Sequence, residues 1–140
     1  MFEKVLLAVD GSDHALNAAR TAGELVRIMQ SKMLRVVVAY DPIPSYLGEP
    51  NLQQAINARL EAANAILEAA VQAVGEVPIA VHTELIEGSP AEAIIDVAST
   101  RESDVIIMGS RGLGRLAGAV LGSTSQKVVA HASCPVLIVR

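Results

Sequence analysis

Apolar runs and helical periodicities alternate along the whole chain. The apolar runs cover residues 5–9, 36–39, 79–86, 105–108 and 136–139. Between them, aliphatic residues recur at the three- and four-residue spacing of amphipathic helices over about 15–29, 52–74, 91–98 and 123–132. This order predicts an α/β domain with a single doubly wound sheet of five parallel strands and helices on both faces.

The third and fifth strands carry the pattern of sheet edges. Residues 79–86 alternate between apolar and polar side chains, as expected of a half-covered edge strand. Residues 136–139 are apolar throughout and are expected at the other edge, because they end the chain. An uncovered apolar edge invites pairing with another strand. We therefore predict a homodimer through 136–139.

Composition narrows the class of protein. The 140 residues are 51% hydrophobic but include one Phe and no Trp, which predicts one domain over 1–140 with an aliphatic core. The net charge of −4 disfavours a nucleic-acid partner, and no apolar run approaches the length of a membrane span. The N-terminus lacks the pattern of a signal peptide, and Cys134 is the single cysteine. We expect a reduced thiol in a cytoplasmic protein.

Candidate chemistry follows the first and fourth strands. Asp10 comes directly after the first strand, and a glycine-rich segment from Gly109 leads to a helix start at 122–125, Gly-Ser-Thr-Ser. Ligands of such sheets bind beyond the carboxyl ends of the strands. Glycines let backbone N–H groups approach a phosphate, and a helix N-terminus adds unpaired donors. The pattern predicts an anion site.

Structural roles remain open for the same residues. Ser123 with Gln126 fits a capping box, and the glycines fit ordinary turns. Asp10 could only help to cap the following helix. A second capping box, with proline at the first helical position, is predicted at 89–92, Ser-Pro-Ala-Glu. P-loop and dinucleotide motifs are absent, and the acids and lysine of a phospho-receiver domain are missing.

The chain resembles the universal stress protein family over essentially its whole length. The resemblance rests on four segments: KVLLAVDGS at 4–12, GSPAEAI at 88–94, IIMGSRG at 106–112 and SCPVLIV at 133–139. The ATP-binding branch of that family carries the motif Gly-x2-Gly-x9-Gly-Ser/Thr. Gly109, Gly112, Gly122 and Ser123 match this spacing without a gap.

The resemblance implies the fold and the ligand. The fold would be a Rossmann-type sheet of the adenine-nucleotide α-hydrolase-like kind, in the order 3-2-1-4-5, and the ligand ATP, with or without Mg²⁺. Asp10 would meet the ribose or the adenine, and Ala8 and Ala39 would line the adenine pocket. Met108 and Gly109 would lie under the sugar and the phosphates. Gly112, Gly122, Ser123 and Thr124 would contact the phosphates, with Ser125 a weaker candidate and Arg111 either a phosphate partner or a solvated charge. The candidate site residues are Ala8, Val9, Asp10, Ala39, Met108, Gly109, Arg111, Gly112, Gly122, Ser123, Thr124 and Ser125. The family's dimer also forms through the last strand.

Three functions are compatible with this reading. The first is an ATP-binding regulatory module of the stress response, and the second is a slow ATPase or phosphotransferase. The third is a dimeric scaffold with no nucleotide role. Binding is favoured over turnover because Asp10 is the one plausible acid near the site and no lysine lies in the glycine-rich segment. No catalytic residue or metal ligand is assigned, and His14, His82 and His131 are expected to be structural or exposed.

Overall fold

The computed structural model describes residues 1–111 and 121–140. Its five strands are β1 (Lys4–Ala8), β2 (Met33–Tyr40), β3 (Ala80–Glu87), β4 (Val105–Gly109) and β5 (Val136–Val139). Its α-helices are α1 (Asp13–Met29), α2 (Asn51–Val74), α3 (Pro90–Thr100) and α4 (Ser123–His131), with a single 3-10 turn at Ser45–Leu47. All strand pairs are parallel and the sheet order is β3-β2-β1-β4-β5. The predicted fold and strand order are confirmed.

The core has two layers, one on each face of the sheet. Val5 and Leu7 of β1 pack with α1 and α2, whereas Leu6 and Ala8 of the same strand pack with α3 and α4. Because both faces of the central strands are covered, the successive residues from Val5 to Ala8 are all buried and all apolar. The core is aliphatic, as predicted.

Helices α1 and α2 approach each other closely at Gly23. A Cβ at this position would overlap the carbonyl oxygen of Val74 at the end of α2. The absence of a side chain therefore lets the backbones of the two helices approach each other closely.

Both sheet edges fall on the predicted strands. On β3, Val81 and Leu85 pack against the core, but Thr83 is exposed, although the alternation grouped it with them. On β5, Leu137 is 37% exposed and the other three residues of the strand are half-buried. The edge position of β5 is confirmed, and the homodimer stays a prediction.

The capping box predicted at 89–92 is wrong. Helix α3 does begin at Pro90 after Ser89, but the Ser89 side chain makes no capping hydrogen bond. Ser89 is exposed, so water can satisfy its hydroxyl group. Among the described residues, no helix combines the length and the apolar character needed to cross a membrane.

Candidate functional site

The candidate site lies where the strand order reverses. β1 and β4 are neighbours in the middle of the sheet, and the chain moves outward from them in opposite directions, to β2 and β3 on one side and to β5 on the other. Such a switch point leaves a crevice beyond the carboxyl ends of the two strands, because the connections after them turn away from each other. Asp10 follows β1 and Ser110 follows β4, so both lie at this crevice.

A cleft of about 550 Å³, measured with its open mouth, occupies this position. The cleft is lined by Ala8, Val9, Asp10, Ala15, Val37, Ala39, Pro90, Ile94, Met108, Gly109, Arg111, Thr124 and Ser125. Nine of the twelve predicted site residues are in this set. The structure thus brings together segments that are up to 117 residues apart in sequence, since Ala8 and Ser125 both line the cleft.

Three predicted residues are not in the lining set. Gly122 and Ser123 lie directly before Thr124, at the start of α4. Gly112 falls outside the described residues.

Four lining residues were missed from the sequence. Val37 lies two positions before Ala39 on β2, so both point to the same side of the sheet, and this periodicity was a usable signal. Pro90 and Ile94 are one helical turn apart on α3, and Ala15 belongs to the first turn of α1. Pro90 and Ile94 belong to the segment GSPAEAI at 88–94, which carries part of the family resemblance but does not by itself point to the cleft.

Asp10 lines the cleft and presents one carboxylate oxygen to the turn before α1. Its Oδ1 accepts a hydrogen bond from the Ser12 backbone N–H at 2.9 Å. Ser12 is itself the N-cap of α1, and its Oγ accepts from the Ala15 N–H at 3.2 Å. Capping of α1 is therefore done by Ser12, and Asp10 supports the turn that precedes it.

The start of α4 does not use the predicted capping box. The N-cap is Gly122, whose carbonyl oxygen accepts from the Gln126 N–H at 3.0 Å. The Gln126 side chain donates instead to the Leu121 carbonyl oxygen at 2.9 Å, so the Ser123–Gln126 box is wrong. Because Gln126 is the first intrahelical donor, helix geometry leaves the N–H groups of the three preceding residues without intrahelical partners. The positive end of the helix dipole lies at the same place.

Ser125 holds the backbone rather than offering its hydroxyl group. Its side chain is buried and donates to the carbonyl oxygens of Gly109 at 3.1 Å and Ser110 at 3.0 Å. One hydroxyl hydrogen shared between two carbonyls is not available to a ligand. The contribution of Ser125 to the cleft is therefore its backbone N–H and the position that it gives to the end of β4.

The end of β4 is fixed against three other elements at Ser110. Its N–H donates to the Val139 carbonyl oxygen on β5 at 2.7 Å, and its carbonyl oxygen accepts from the Gly122 N–H at 2.7 Å. Its Oγ lies 2.7 Å from Nδ1 of His14 on α1. Ser110 itself is only 2% exposed. His14, expected to be structural or exposed, is half-buried and contacts the segment that leads into the candidate site.

The first turn of α1 contacts the same segment at two further points. Ser12 Oγ donates to the Arg111 carbonyl oxygen at 3.3 Å. A Cβ on Gly109 would lie 2.9 Å from Ala15 N and from two atoms of His14. The close approach of β4 to α1 therefore requires glycine at this position.

The remaining candidate groups lie elsewhere. Burial, reinforced by the charge of Asp104, raises the pKa of the Cys134 thiol, which fits the expected unreactive thiol. His82 and His131 are exposed. Residues 1–111 and 121–140 contain no group of three or more His, Cys, Asp or Glu side chains that could hold a metal ion.

Comparisons with known proteins match the chain to universal stress proteins. A model of the universal stress protein family matches residues 1–140. A universal stress protein of Thermus aquaticus is 48% identical over 140 residues, covering all of both chains. The solved structure of UspA from Lactobacillus plantarum is 28% identical, with a TM-score of 0.86 over 99% of this chain and 98% of that chain. A solved universal stress protein in complex with cAMP is 27% identical, with a TM-score of 0.67 over 97% of this chain and 95% of that chain.

Proposed function

The chain belongs to the universal stress protein family, and we propose that it is a stress-response module that binds ATP in the cleft between β1 and β4. The observation that carries this proposal is the lining of the cleft. Small apolar side chains, one carboxylate and the open N-terminus of α4 meet at the switch point of a doubly wound sheet.

The inner part of the cleft suits a flat base. Ala8, Val37 and Ala39 supply small side chains from β1 and β2, and Ile94 closes the space from α3. These groups offer apolar contact without filling the volume that a purine ring needs. Asp10 lies at the end of the same wall, where its Oδ2 can accept a hydrogen bond from a ribose hydroxyl group.

The opposite wall suits phosphates. The N–H groups at the start of α4 are unpaired by helix geometry, and the helix dipole favours a negative charge there. Thr124 and Arg111 line the cleft, and the Arg111 guanidinium can bind phosphate oxygens in pairs. Arg111 and Thr124 lie between and directly after residues that match the ATP-binding motif of the family.

Adenine nucleotides are favoured by one comparison. The related structure in complex with cAMP shares this fold over nearly its whole length. We extend that ligand class to ATP because Gly109, Gly122 and Ser123 stand at the spacing of the triphosphate motif. Thr124 and Arg111 provide donors beyond those that a single phosphate group would use.

The cleft is better equipped to hold ATP than to cleave it. Phosphoryl transfer needs acids that hold a metal ion, a group that positions the nucleophile and cations that neutralise the developing charge. Among the described lining residues, Asp10 is the one carboxylate and Arg111 the one cation. Asp10 already uses one oxygen to support the turn before α1. We therefore propose a nucleotide-dependent regulator, with at most weak hydrolysis.

A thermal-shift titration with ATP, ADP, AMP and GTP tests the proposal. A ligand at 100 times its Kd adds about 2.7 kcal/mol of stability. For a chain of this length about 0.3 kcal/mol corresponds to one degree in Tm, so saturating ATP should raise Tm by about 9 °C. Asp10→Asn and Thr124→Ala should each weaken the response. Titrations with and without Mg²⁺ show whether the ion takes part.

Two outcomes would contradict this function. If none of the adenine nucleotides shifts Tm up to millimolar concentration, the dimeric scaffold is the better account. If phosphate release is fast and Asp10→Asn abolishes it, the chain is an ATPase. Mass spectrometry of the purified protein provides a second readout, since a tightly held nucleotide should co-purify.

We also propose that the protein is a cytoplasmic homodimer joined through β5. The strand is paired on one side with β4 and keeps Leu137 37% exposed. A second β5 would cover the apolar side chains and use the unpaired edge. Leu137→Lys should convert the dimer to a monomer in light scattering after size exclusion, with unchanged secondary structure. A wild-type monomer at micromolar concentration would refute the dimer.

A further inference from the structure

One buried side chain links the candidate site to α1 without reaching the cleft. Ser110 is 2% exposed and is not among the residues that line the cleft. Its Oγ lies 2.7 Å from Nδ1 of His14, so the two side chains share a hydrogen bond. Gly109 precedes Ser110 and Arg111 follows it, and both of these residues do line the cleft.

The backbone of Ser110 is fixed on its other sides. The N–H is bound to Val139, and the carbonyl oxygen receives the Gly122 N–H and the Ser125 hydroxyl group. These contacts define the position of the residue but come from β5 and α4. The contact with His14 is the side-chain bond that ties this junction to α1.

A second contact to α1 follows one residue later. Ser12 Oγ donates to the Arg111 carbonyl oxygen at 3.3 Å, which is long for a hydroxyl donor. The His14–Ser110 bond is shorter, and Ser110 is more buried than Ser12. It is therefore the firmer of the two side-chain bonds that join α1 to the chain leaving β4, and it contributes to the placement of Arg111.

We propose that Ser110 and His14 are positioning residues of the nucleotide site: their hydrogen bond holds the end of β4 against α1, and with it Arg111, in the position that phosphate binding requires. This inference rests on the proposed function and extends it to two residues that do not touch the ligand. The bond acts on the side of the cleft where phosphates are proposed to bind. Its loss should therefore weaken the binding of a ligand more, the more phosphates the ligand carries, and should leave the binding of the base and the ribose unchanged.

The experiment measures the affinities of adenosine, AMP and ATP by NMR titration for five proteins. They are the wild type, Ser110→Ala, His14→Leu, His14→Asn and Ser31→Ala. Leu keeps the carbon atoms next to Gly109 but cannot form a hydrogen bond, whereas the Asn amide lies close to the place of Nδ1. Ser31→Ala is the matched control, because it removes another buried serine hydroxyl, 3% exposed and bound to the Phe2 carbonyl oxygen at 2.6 Å.

We expect ATP to bind about fivefold to tenfold more weakly to Ser110→Ala and His14→Leu, the worth of one hydrogen bond. Adenosine should bind to both variants as to the wild type, and His14→Asn should recover most of the affinity for ATP. Ser31→Ala should lower Tm and leave every affinity unchanged. A general loss of stability would not weaken the binding of ATP while leaving the binding of adenosine unchanged.

The two ideas fail in different ways. If the wild type binds no adenine nucleotide, the proposed function is wrong. If the wild type binds ATP and both Ser110→Ala and His14→Leu bind it equally well, the positioning role alone is wrong. A uniform loss for adenosine, AMP and ATP would also overturn it, since the bond would then serve the fold as a whole.

Discussion

Replacement of Gly109 by alanine tests the contact between β4 and α1 most directly. The new Cβ would lie 2.9 Å from the backbone N of Ala15 and from the backbone C and the Cβ of His14. Carbon contacts in proteins are optimal at about 3.5–4.0 Å. The first turn of α1 or the end of β4 must therefore move by about half an ångström or more. Two of the three contacted atoms belong to the backbone, so no side-chain rotation relieves the overlap.

Two opposing effects set the size of the change. Inserting a methyl group into a packed region costs about 1–3 kcal/mol when the backbone must shift. Replacing glycine by alanine where the backbone conformation allows it restores about 0.4–1 kcal/mol through the unfolded chain. The clash exceeds the gain, which leaves a net destabilisation of about 1–2 kcal/mol. At about 0.3 kcal/mol per degree, Tm should fall by about 3–7 °C.

The assay combines thermal unfolding with titration of ATP. The matched control is Gly23→Ala, which makes the same chemical change and overlaps the Val74 carbonyl oxygen between α1 and α2. Both variants should unfold at a lower temperature than the wild type, but only Gly109→Ala should also lower the affinity for ATP. An unchanged or higher Tm for Gly109→Ala would show that the approach of β4 to α1 is not tight. Equal loss of ATP affinity in both variants would refute the link between this contact and the site.

Three further changes have expected outcomes. Ser125→Ala should lower the free energy of unfolding by about 1–3 kcal/mol in urea denaturation, because the buried carbonyl oxygen of Gly109 loses the hydroxyl donor and that of Ser110 keeps the Gly122 N–H but loses the hydroxyl; an unchanged midpoint would contradict this. Glu84→Gln should cost about 1–2 kcal/mol by the same assay, since Arg35, 13% exposed, loses a charged partner at 3.1 Å. The control Glu102→Gln, in an ion pair whose acid is 83% exposed, should change stability by less than about 0.5 kcal/mol. Cys134 should react with iodoacetamide more slowly at pH 8 than an unstructured cysteine and accelerate toward higher pH, because burial raises its pKa and the thiolate is the reactive form; an equal rate at pH 8 would be inconsistent with the burial.

The fold was predictable because burial leaves a direct pattern in the sequence. Leu6 and Leu7 are successive residues of β1 that pack on opposite faces of the sheet, so both faces must be covered by helices. The alternation at 79–86 and the terminal position of 136–139 identified the two edges. The order of the inner strands, however, came from the family resemblance, because the sequences of buried parallel strands with similar composition do not reveal their order in the sheet.

Helix starts were predicted less well, because a cap depends on geometry at the level of a single residue. Ser89 and Ser123 both stand three residues before a Glu or Gln, as a capping box requires. In α4 the cap is Gly122, one residue earlier, and Ser123 becomes the first helical residue. If the helix began after Ser123, the Ser123 hydroxyl group could cap it; because the helix begins at Ser123, the residue is part of the first turn instead. The sequence pattern is the same for both helix starts.

The side-chain pair of His14 and Ser110 was beyond sequence reasoning for a different reason. The two residues are 96 positions apart, and neither belongs to a motif that names the other. Their contact exists because Gly109 lets β4 approach the first turn of α1. Recognition in this cleft would therefore depend on two kinds of residue: the glycines and helix start that present backbone N–H groups, which leave a sequence motif, and the buried side chains that hold those groups in place, which do not. A search for functional residues by motif alone finds the first kind, and the second becomes visible only when the contacts behind the cleft wall are followed inward.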